Sequence, residues 1–163
     1  MNSKDKGKME IISLTIDNRE IQVEKGITVM KAAEQAGIYI PGLCAHPDLS
    51  SSGACRLCIV EIEGMRGYPT SCTTVAEAGM VVHTCTEKIQ QLRRNVLELI
   101  LTEHPNNCLV CPHEDVCKAI DINLPDVLLT ERCVTCPSNQ RCELQRVAEY
   151  IELTEVTLPY KSK

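Results

Sequence analysis

The sequence predicts an α+β fold, with a small mixed domain followed by a small helical, cysteine-rich metal-binding segment. Alternating apolar residues are confined to the first half of the chain, and a helical apolar period begins at Thr86. Six of the eleven cysteines lie between residues 105 and 142. The 163 residues leave room for two small units at most, which excludes a large catalytic domain.

The first predicted element is a β-hairpin. Residues 10–16 and residues 20–24 largely alternate apolar and polar side chains, as half-buried strands do. Asp17 and Asn18 supply the turn between them.

A short helix is predicted next, because Thr28 is a suitable N-cap and Gly37 a suitable end. Residues 58–63 and 80–84 have the composition of two further strands. Hairpin, helix and cysteine-bearing loop in this order suggest a β-grasp arrangement.

A longer helix is predicted from Thr86 to His104, and a last helix over residues 143–153. Between them the chain is rich in proline and cysteine, so we expect metal to supply most of its order. The apolar residues expected to line one face of the long helix are Ile89, Leu92, Val96, Leu97 and Ile100.

Composition and charge argue against several classes of partner and location. Seventeen Lys and Arg against twenty-two Asp and Glu give a net charge of −5 without a basic cluster, which argues against nucleic acid as a partner. No run approaches the ~20 apolar residues of a membrane span, so no direct membrane insertion is expected. The first residues lack a secretory pattern, so a reducing, cytoplasmic location is expected. In such a compartment dense cysteines indicate metal rather than disulfides.

The first candidate site has the spacing C-x10-C-x2-C-x13-C. Four thiolates can hold a 2Fe-2S cluster, two on each iron. Small residues around Gly53 would let backbone N–H groups turn towards anionic sulfur. A pair of disulfides or a zinc site is the structural alternative. The four residues are Cys44, Cys55, Cys58 and Cys72.

The words IYIPGLCAHPDLSSSGACRLCIVEIEG and the later SC resemble the ferredoxin-like N-terminal domain of the largest peripheral subunit of respiratory complex I. They are also similar to the corresponding domain of NAD-linked and iron-only hydrogenases. The resemblance covers roughly residues 9–151 and implies a ferredoxin-like domain with one 2Fe-2S cluster.

A second motif, HPNNCLVCPHEDVC, directly follows the long helix. It resembles the 4Fe-4S motif of one histidine and three cysteines that follows the ferredoxin domain in the same families. The resemblance implies His104, Cys108 and Cys111 as ligands. In those families the third cysteine is commonly followed by ELQ and a helix, whereas here Cys117 is followed by KAID and Cys142 by ELQ.

Two ligand assignments therefore compete. In the local assignment Cys117 completes the 4Fe-4S site, and three cysteines remain for a second cluster. The fourth ligand of that cluster would be Cys85, a histidine, an exogenous group or a residue of a partner. The remaining three are Cys133, Cys136 and Cys142.

In the insertion assignment Cys142 completes the 4Fe-4S site, and residues 112–141 are an inserted loop. The loop then has a zinc-type spacing, H-x3-C-x15-C-x2-C. Ligand counting slightly favours this assignment, because every ligand is used. The zinc ligands would be His113, Cys117, Cys133 and Cys136.

Three other residues are not expected to be ligands. Cys85 is interpreted as a small thiol at the start of a helix, His46 as a residue that positions the cluster loop, and His83 as a solvated strand residue. No nucleophile–base pair, phosphate loop or dinucleotide motif is visible, so we expect no enzyme activity from the chain alone.

The expected function is electron transfer. The resemblance implies a subunit that relays single electrons between an NAD(P)H-oxidising diaphorase subunit, with FMN and iron–sulfur clusters, and another redox module, beside a thioredoxin-like 2Fe-2S subunit. NAD(P)-linked hydrogenases, formate dehydrogenases and bifurcating transhydrogenases use such modules. A free, diffusible ferredoxin and a zinc-stapled interaction module are the alternatives.

The expected organisation follows from these motifs and is given by residue ranges. It comprises a polar leader (1–8), the β-grasp domain (9–85), the helix with the His/Cys-rich segment (86–151, with the loop 112–141) and a tail (152–163).

Overall fold

The computed structural model describes residues 10–45, 48–104, 138, 140–154 and 156. The chain divides into two compact units, Met1–Ile89 and Gln90–Lys163. None of the helices in these described ranges is both long enough and apolar enough to cross a membrane.

A mixed sheet forms the framework of the first unit. In the described part of the chain it has four strands in the order β2-β1-β4-β3. The outer pairs β1–β2 and β3–β4 are antiparallel, whereas β1 and β4 run parallel in the middle of the sheet. The strands are β1 (Ile11–Ile16), β2 (Arg19–Glu24), β3 (Glu61–Ile62) and β4 (Val81–His83).

The predicted hairpin is confirmed, and its turn has the expected chemistry. Asp17 and Asn18 have φ angles of 46° and 65°. Two left-handed residues between paired strands match the right-handed twist of a hairpin, and Asp and Asn tolerate this conformation. The strands consequently pair directly from Ile16 opposite Arg19.

The short helix α1 (Val29–Gln35) packs on the sheet. The Thr28 side chain accepts a hydrogen bond from the Lys31 N–H at 3.3 Å, so the predicted N-cap is confirmed. The core beneath α1 is aliphatic, with Val29, Ala32 and Ala33 buried. The chain leaves the helix through Gly37 at a φ of 70°.

The third strand is shorter than predicted. Residues 58–60 pair with residues 69–71 instead of extending β3. The Ser71 N–H donates to the Cys58 carbonyl at 2.9 Å, and the Val60 N–H donates to the Pro69 carbonyl at 3.0 Å. Because these backbone groups are occupied there, the ladder with β4 is limited to two residues, and Cys58 lies beside the segment that carries Cys72.

Two helices make up the described part of the second unit: α2 (Glu87–Thr102), whose first turn crosses the unit boundary, and α3 (Glu143–Tyr150). The Thr86 hydroxyl accepts from the Ile89 N–H at 3.3 Å, as its N-cap role requires. The Arg94 Nε donates to the Ile151 carbonyl at 2.8 Å, which links the two helices.

The buried face of α2 differs from the predicted face. Ile89 and Leu97 are buried as expected, but the other two buried positions of this i, i+4 row are Arg93 and Leu101. Arg93 is fully buried, and its guanidinium donates to the Gln90 side chain at 3.3 Å. The three remaining predicted residues, Leu92, Val96 and Ile100, are only partly buried.

Candidate metal centre

Four cysteines of the first unit come together as two pairs of thiols. The Cys44 thiol is hydrogen-bonded to Cys55, and the Cys72 thiol to Cys58. The pairs are neighbours, since the charge of Cys44 acts on the pKa of Cys72. None of the four is joined in a disulfide. The structure therefore brings together the residues of the C-x10-C-x2-C-x13-C motif.

The outer thiol, Cys44, is set up to be an anion. Burial acts to raise its pKa, but hydrogen bonds from the backbone and side chain of Cys55, the Ser52 side chain and the Ala54 backbone outweigh burial and lower the pKa to about 7. Hydrogen bonds to the charged form have this effect in general. Backbone and hydroxyl donors thus surround a thiolate ready for a cation.

The inner thiol, Cys72, has the opposite character. Burial is the largest cause that raises the pKa of Cys72. The hydrogen bond with Cys58 and the charges of Cys58 and Cys44 raise it further. A hydrogen bond from the Gly53 N–H acts in the opposite direction, and the resulting pKa is about 12. Several thiolates cannot ionise side by side in a buried site unless positive charge is supplied among them. Iron supplies that charge, so the four residues fit a cluster.

Backbone geometry aims further N–H groups at sulfur. The Leu43 N–H donates to the Cys55 Sγ at 3.4 Å. Between the second and third cysteines, Arg56 has a φ of 56°, a left-handed conformation that few non-glycine residues adopt. This conformation turns the chain tightly enough to bring Cys55 and Cys58 to the same site. The loop that surrounds the four thiols is called the cradle.

Two glycines leave room for the cradle. A Cβ on Gly53 would lie 3.1 Å from the Thr70 hydroxyl, and Gly53 has a φ of 66°. A Cβ on Gly42 would lie 3.2 Å from the Met30 methyl group and 3.8 Å from the Cβ of Cys58. A larger residue at Gly53 would therefore combine a left-handed backbone with a close approach to Thr70, whereas at Gly42 the flexible end of Met30 would have to give way.

The two pairs differ in exposure. Cys58 and Cys72 are 1% and 3% exposed, whereas Cys44 and Cys55 are half-buried. One edge of the site is therefore sealed by the core and the other lies near solvent.

The number and pairing of the thiols can be compared with the needs of a cluster. Four cysteine thiolates hold a 2Fe-2S cluster, and two thiol pairs match its two irons.

Only the ends of the second candidate site fall within the described residues. His104 lies two residues beyond α2 and is exposed, with its N–H donating to the Leu101 carbonyl at 3.2 Å. Cys142 is the N-cap of α3 and borders a surface cavity with Arg141 and Arg146. The other predicted ligands lie outside the described residues: Cys108, Cys111, His113, Cys117, Cys133 and Cys136.

Of the residues not expected to be ligands, two are described. Cys85 is exposed just before α2. The His83 Nε2 lies 3.2 Å from the Glu63 carboxylate, so this side chain is half-buried and paired rather than simply solvated. His46 lies outside the described residues.

Comparison with known proteins agrees with this geometry. Residues 10–87 match the family described as a 2Fe-2S iron-sulfur cluster binding domain. Residues 93–118 match the NADH-ubiquinone oxidoreductase-G iron-sulfur binding region. This chain is an iron–sulfur protein. It has a domain that binds a 2Fe-2S cluster and a region that binds a 4Fe-4S cluster, as the two motifs predicted.

The relatives of this iron–sulfur protein are much longer. A subunit of the NADH-quinone oxidoreductase of Mycobacterium bovis is 39% identical over an alignment of 156 residues, which covers 80% of this chain and 19% of that protein. The alpha subunit of the NADPH-Fe(3+) oxidoreductase of Geobacter sulfurreducens is 45% identical over 101 residues, or 62% of this chain and 12% of that protein. The chain thus spans a fifth or less of these curated relatives.

Among solved structures, a crystal structure of NAD+-reducing NiFe-hydrogenase in the H2-reduced state matches with a TM-score of 0.66 and 29% identity. The match covers 93% of this chain and 54% of that one. Together the comparisons confirm two predictions. The chain resembles the N-terminal iron–sulfur region of the family that includes these NADH-quinone oxidoreductase and NAD+-reducing hydrogenase subunits, and it has a mixed α+β fold.

The sequence predicted the four cysteines and the backbone N–H groups that turn inward around Gly53. It did not predict the Leu43 N–H, the Ser52 side chain or the Thr70 hydroxyl, which lies 3.1 Å from where a Cβ on Gly53 would stand.

Proposed function

We propose that this iron–sulfur protein is an electron-relay subunit, and that Cys44 with Cys55 and Cys58 with Cys72 hold its 2Fe-2S cluster, one pair on each iron. The observation that carries the proposal is the meeting of two thiol pairs inside a cradle of inward-directed N–H groups. When bound, the cluster supplies one-electron chemistry.

The residues around the four thiols determine the reduction potential of the bound cluster. The N–H groups of Leu43, Gly53 and Ala54 point at sulfur, and donors of this kind favour the more negative, reduced state. Buried Cys58 and Cys72 keep water from the inner edge. We assign electron exchange with partners to the outer edge, at Cys44 and Cys55, because that pair lies closest to solvent.

For the 4Fe-4S cluster we propose the local assignment. The matched region, residues 93–118, contains His104, Cys108, Cys111 and Cys117 and ends before Cys142. This extent supports Cys117 as the fourth ligand, against the slight preference that ligand counting gave to the insertion. A neutral imidazole in place of one thiolate makes the site less negative and is expected to raise its potential.

The cysteines left over by this assignment form a further proposal. Cys133, Cys136 and Cys142 would then hold a second cluster whose fourth ligand comes from elsewhere. A zinc-bound loop that also uses His113 and Cys117 is the competing proposal, since it requires the insertion assignment.

The partner we propose is a cytoplasmic diaphorase-type subunit with FMN and iron–sulfur clusters, in a complex with a thioredoxin-like 2Fe-2S subunit. The names of the matched relatives support it, because they describe NADH-quinone, NADPH-Fe(3+) and NAD+-reducing enzymes. A NAD(P)-linked hydrogenase, formate dehydrogenase or bifurcating transhydrogenase would provide such a setting. The chain alone is proposed to be a carrier without catalytic activity.

Metal analysis tests the cluster proposal. Iron, zinc and acid-labile sulfide are measured per chain after anaerobic purification. About ten irons without zinc are expected if the second cluster is present, and about six irons with one zinc would support the insertion assignment instead. Zinc without iron would overturn the electron-transfer proposal in favour of a zinc-stapled module.

Co-purification tests the partner. A tagged chain isolated anaerobically from its native cells is expected to bring a flavoprotein with it, and NAD(P)H should then reduce its clusters. The isolated chain should be reduced by dithionite but not by NAD(P)H. A chain that elutes alone at its own mass would favour the free ferredoxin.

A further inference from the structure

One buried hydroxyl of the first unit has no partner. Ser71 is 0% exposed, and its Oγ is the single buried side-chain nitrogen or oxygen atom without a hydrogen bond in the part of the chain that the structure describes. Burial of an unpaired hydroxyl costs free energy, so such atoms are rare in folded proteins and call for an acceptor beyond the polypeptide.

The neighbouring hydroxyls are all satisfied. Thr70 and Thr73 share a hydrogen bond of 2.6 Å between their side chains. The Thr74 hydroxyl donates to the Thr70 carbonyl at 2.9 Å. Within this turn only the Ser71 hydroxyl is left without a partner.

Ser71 is also tied to both inner cysteines. Its N–H donates to the Cys58 carbonyl at 2.9 Å, and the next residue is Cys72. Its own carbonyl accepts from the Met30 N–H at 3.0 Å. Because the backbone is held on both sides, Ser71 stays in the interior, and its backbone lies beside the two residues that carry the inner thiols.

We propose that the Ser71 hydroxyl donates a hydrogen bond to a sulfur of the 2Fe-2S cluster at its inner edge. This inference rests on the ligand set proposed above. The donor complements the backbone N–H groups aimed at the outer pair and at Cys72, and it acts in the driest part of the site. An O–H directed at sulfur stabilises the added negative charge of the reduced cluster and raises its potential.

The test is the reduction potential of Ser71→Ala, measured anaerobically on the full chain by EPR-monitored titration. We expect a full complement of 2Fe-2S cluster and a several-fold shift of the reduction equilibrium towards the oxidised form. A tenfold shift would correspond to about 59 mV for one electron. Ser71→Thr keeps the donor and is expected to retain the wild-type potential.

Thr84→Val is the matched control. The Thr84 hydroxyl is also buried, but it is paired with Asp17. Its removal should leave the potential unchanged. If Ser71→Ala assembles no cluster while Ser71→Thr does, the requirement for the hydroxyl is likewise supported.

Other outcomes would overturn the inference. An unchanged potential in Ser71→Ala, together with a higher thermal midpoint, would mean that the hydroxyl is simply unpaired. An equal shift in Ser71→Ala and Ser71→Thr would indicate a packing effect. A wild-type chain without any 2Fe-2S signal would instead refute the proposed ligand set, which separates the two failures.

Discussion

Thr84 donates two hydrogen bonds to one carboxylate: its N–H reaches the Asp17 Oδ1 at 2.7 Å, and its hydroxyl reaches the Oδ2 at 2.5 Å. The Asp17 N–H in turn donates to the Val82 carbonyl at 2.9 Å. The carboxylate therefore connects the turn of the β1–β2 hairpin to the end of β4. This link joins residues that are 67 positions apart in the sequence. It lies at the end of β4 from which the chain continues to α2.

The first prediction concerns this link. Asp17→Ala is expected to destabilise the first unit by about 2–3 kcal/mol, because two buried donors lose a charged acceptor. Apparent urea midpoints, followed by circular dichroism under anaerobic conditions, measure the loss. Asn18→Ala is the matched control, since it has the same left-handed strain at a φ of 65° but no such carboxylate. Equal losses in the two variants would contradict the role of the link.

The second prediction concerns Gly53. Gly53→Ala combines a left-handed backbone with a Cβ placed 3.1 Å from the Thr70 hydroxyl. We expect a lower content of 2Fe-2S cluster per chain, measured by iron and sulfide analysis and by visible absorbance. Gly64 has a similar φ of 78° with nothing within 4 Å of the added Cβ, so Gly64→Ala should cost only about 1–2 kcal/mol of backbone strain and keep its cluster. Equal cluster contents in the two variants would show that the cradle tolerates the methyl group.

Local sequence signals predicted much of the fold. The Asp17–Asn18 turn and the N-caps Thr28 and Thr86 were identified because each depends on the chemistry of one or two neighbouring residues. For a similar reason, the spacing of the four cysteines predicted that they belong to one site. The structure brings them together, whereas their role as cluster ligands stays a prediction. Both kinds of signal are local in sequence.

Contacts between residues that are not neighbours in a local pattern explain the parts of the structure that the sequence did not predict. The expected strand at residues 58–63 is shortened because its first residues bond to residues 69–71, which no local pattern reveals. The apolar period of α2 did not predict that Arg93 is fully buried. A hydropathy pattern ranks each side chain by its own polarity and does not show which hydrogen-bond partners the fold supplies. The unpaired Ser71 hydroxyl was invisible for the same reason.

The third prediction uses the contrasting thiols of the first site. In the folded chain without metal, Cys44 has its pKa lowered to about 7 and Cys72 has its pKa raised to about 12. The thiolate is the reactive form, so alkylation of Cys44 should rise between pH 6 and pH 8 and then level off. Cys72 should remain almost unreactive up to pH 9. Brief iodoacetamide pulses followed by peptide mass spectrometry measure both rates.

Unfolded protein provides the control for this experiment. In urea both thiols regain their ordinary pKa near 9.0 and should react at similar rates with the same pH dependence. Parallel pH profiles for Cys44 and Cys72 in the native chain would show that the hydrogen bonds from Cys55 and Ser52 do not favour the thiolate.

The fourth prediction separates the two 4Fe-4S assignments. Cys117→Ala is expected to remove the EPR signal of the 4Fe-4S cluster that uses His104, together with about four irons per chain. Cys142→Ala should leave that cluster intact and remove only the second cluster. Cys85→Ala is the control, because neither assignment makes Cys85 a ligand of the 4Fe-4S cluster that uses His104, and that cluster should remain intact. The reverse result, with cubane loss in Cys142→Ala and zinc loss in Cys117→Ala, would instead establish the insertion. A cluster that loses one of its four ligands keeps an exposed iron and is lost, so each variant reports the cluster to which its cysteine belongs.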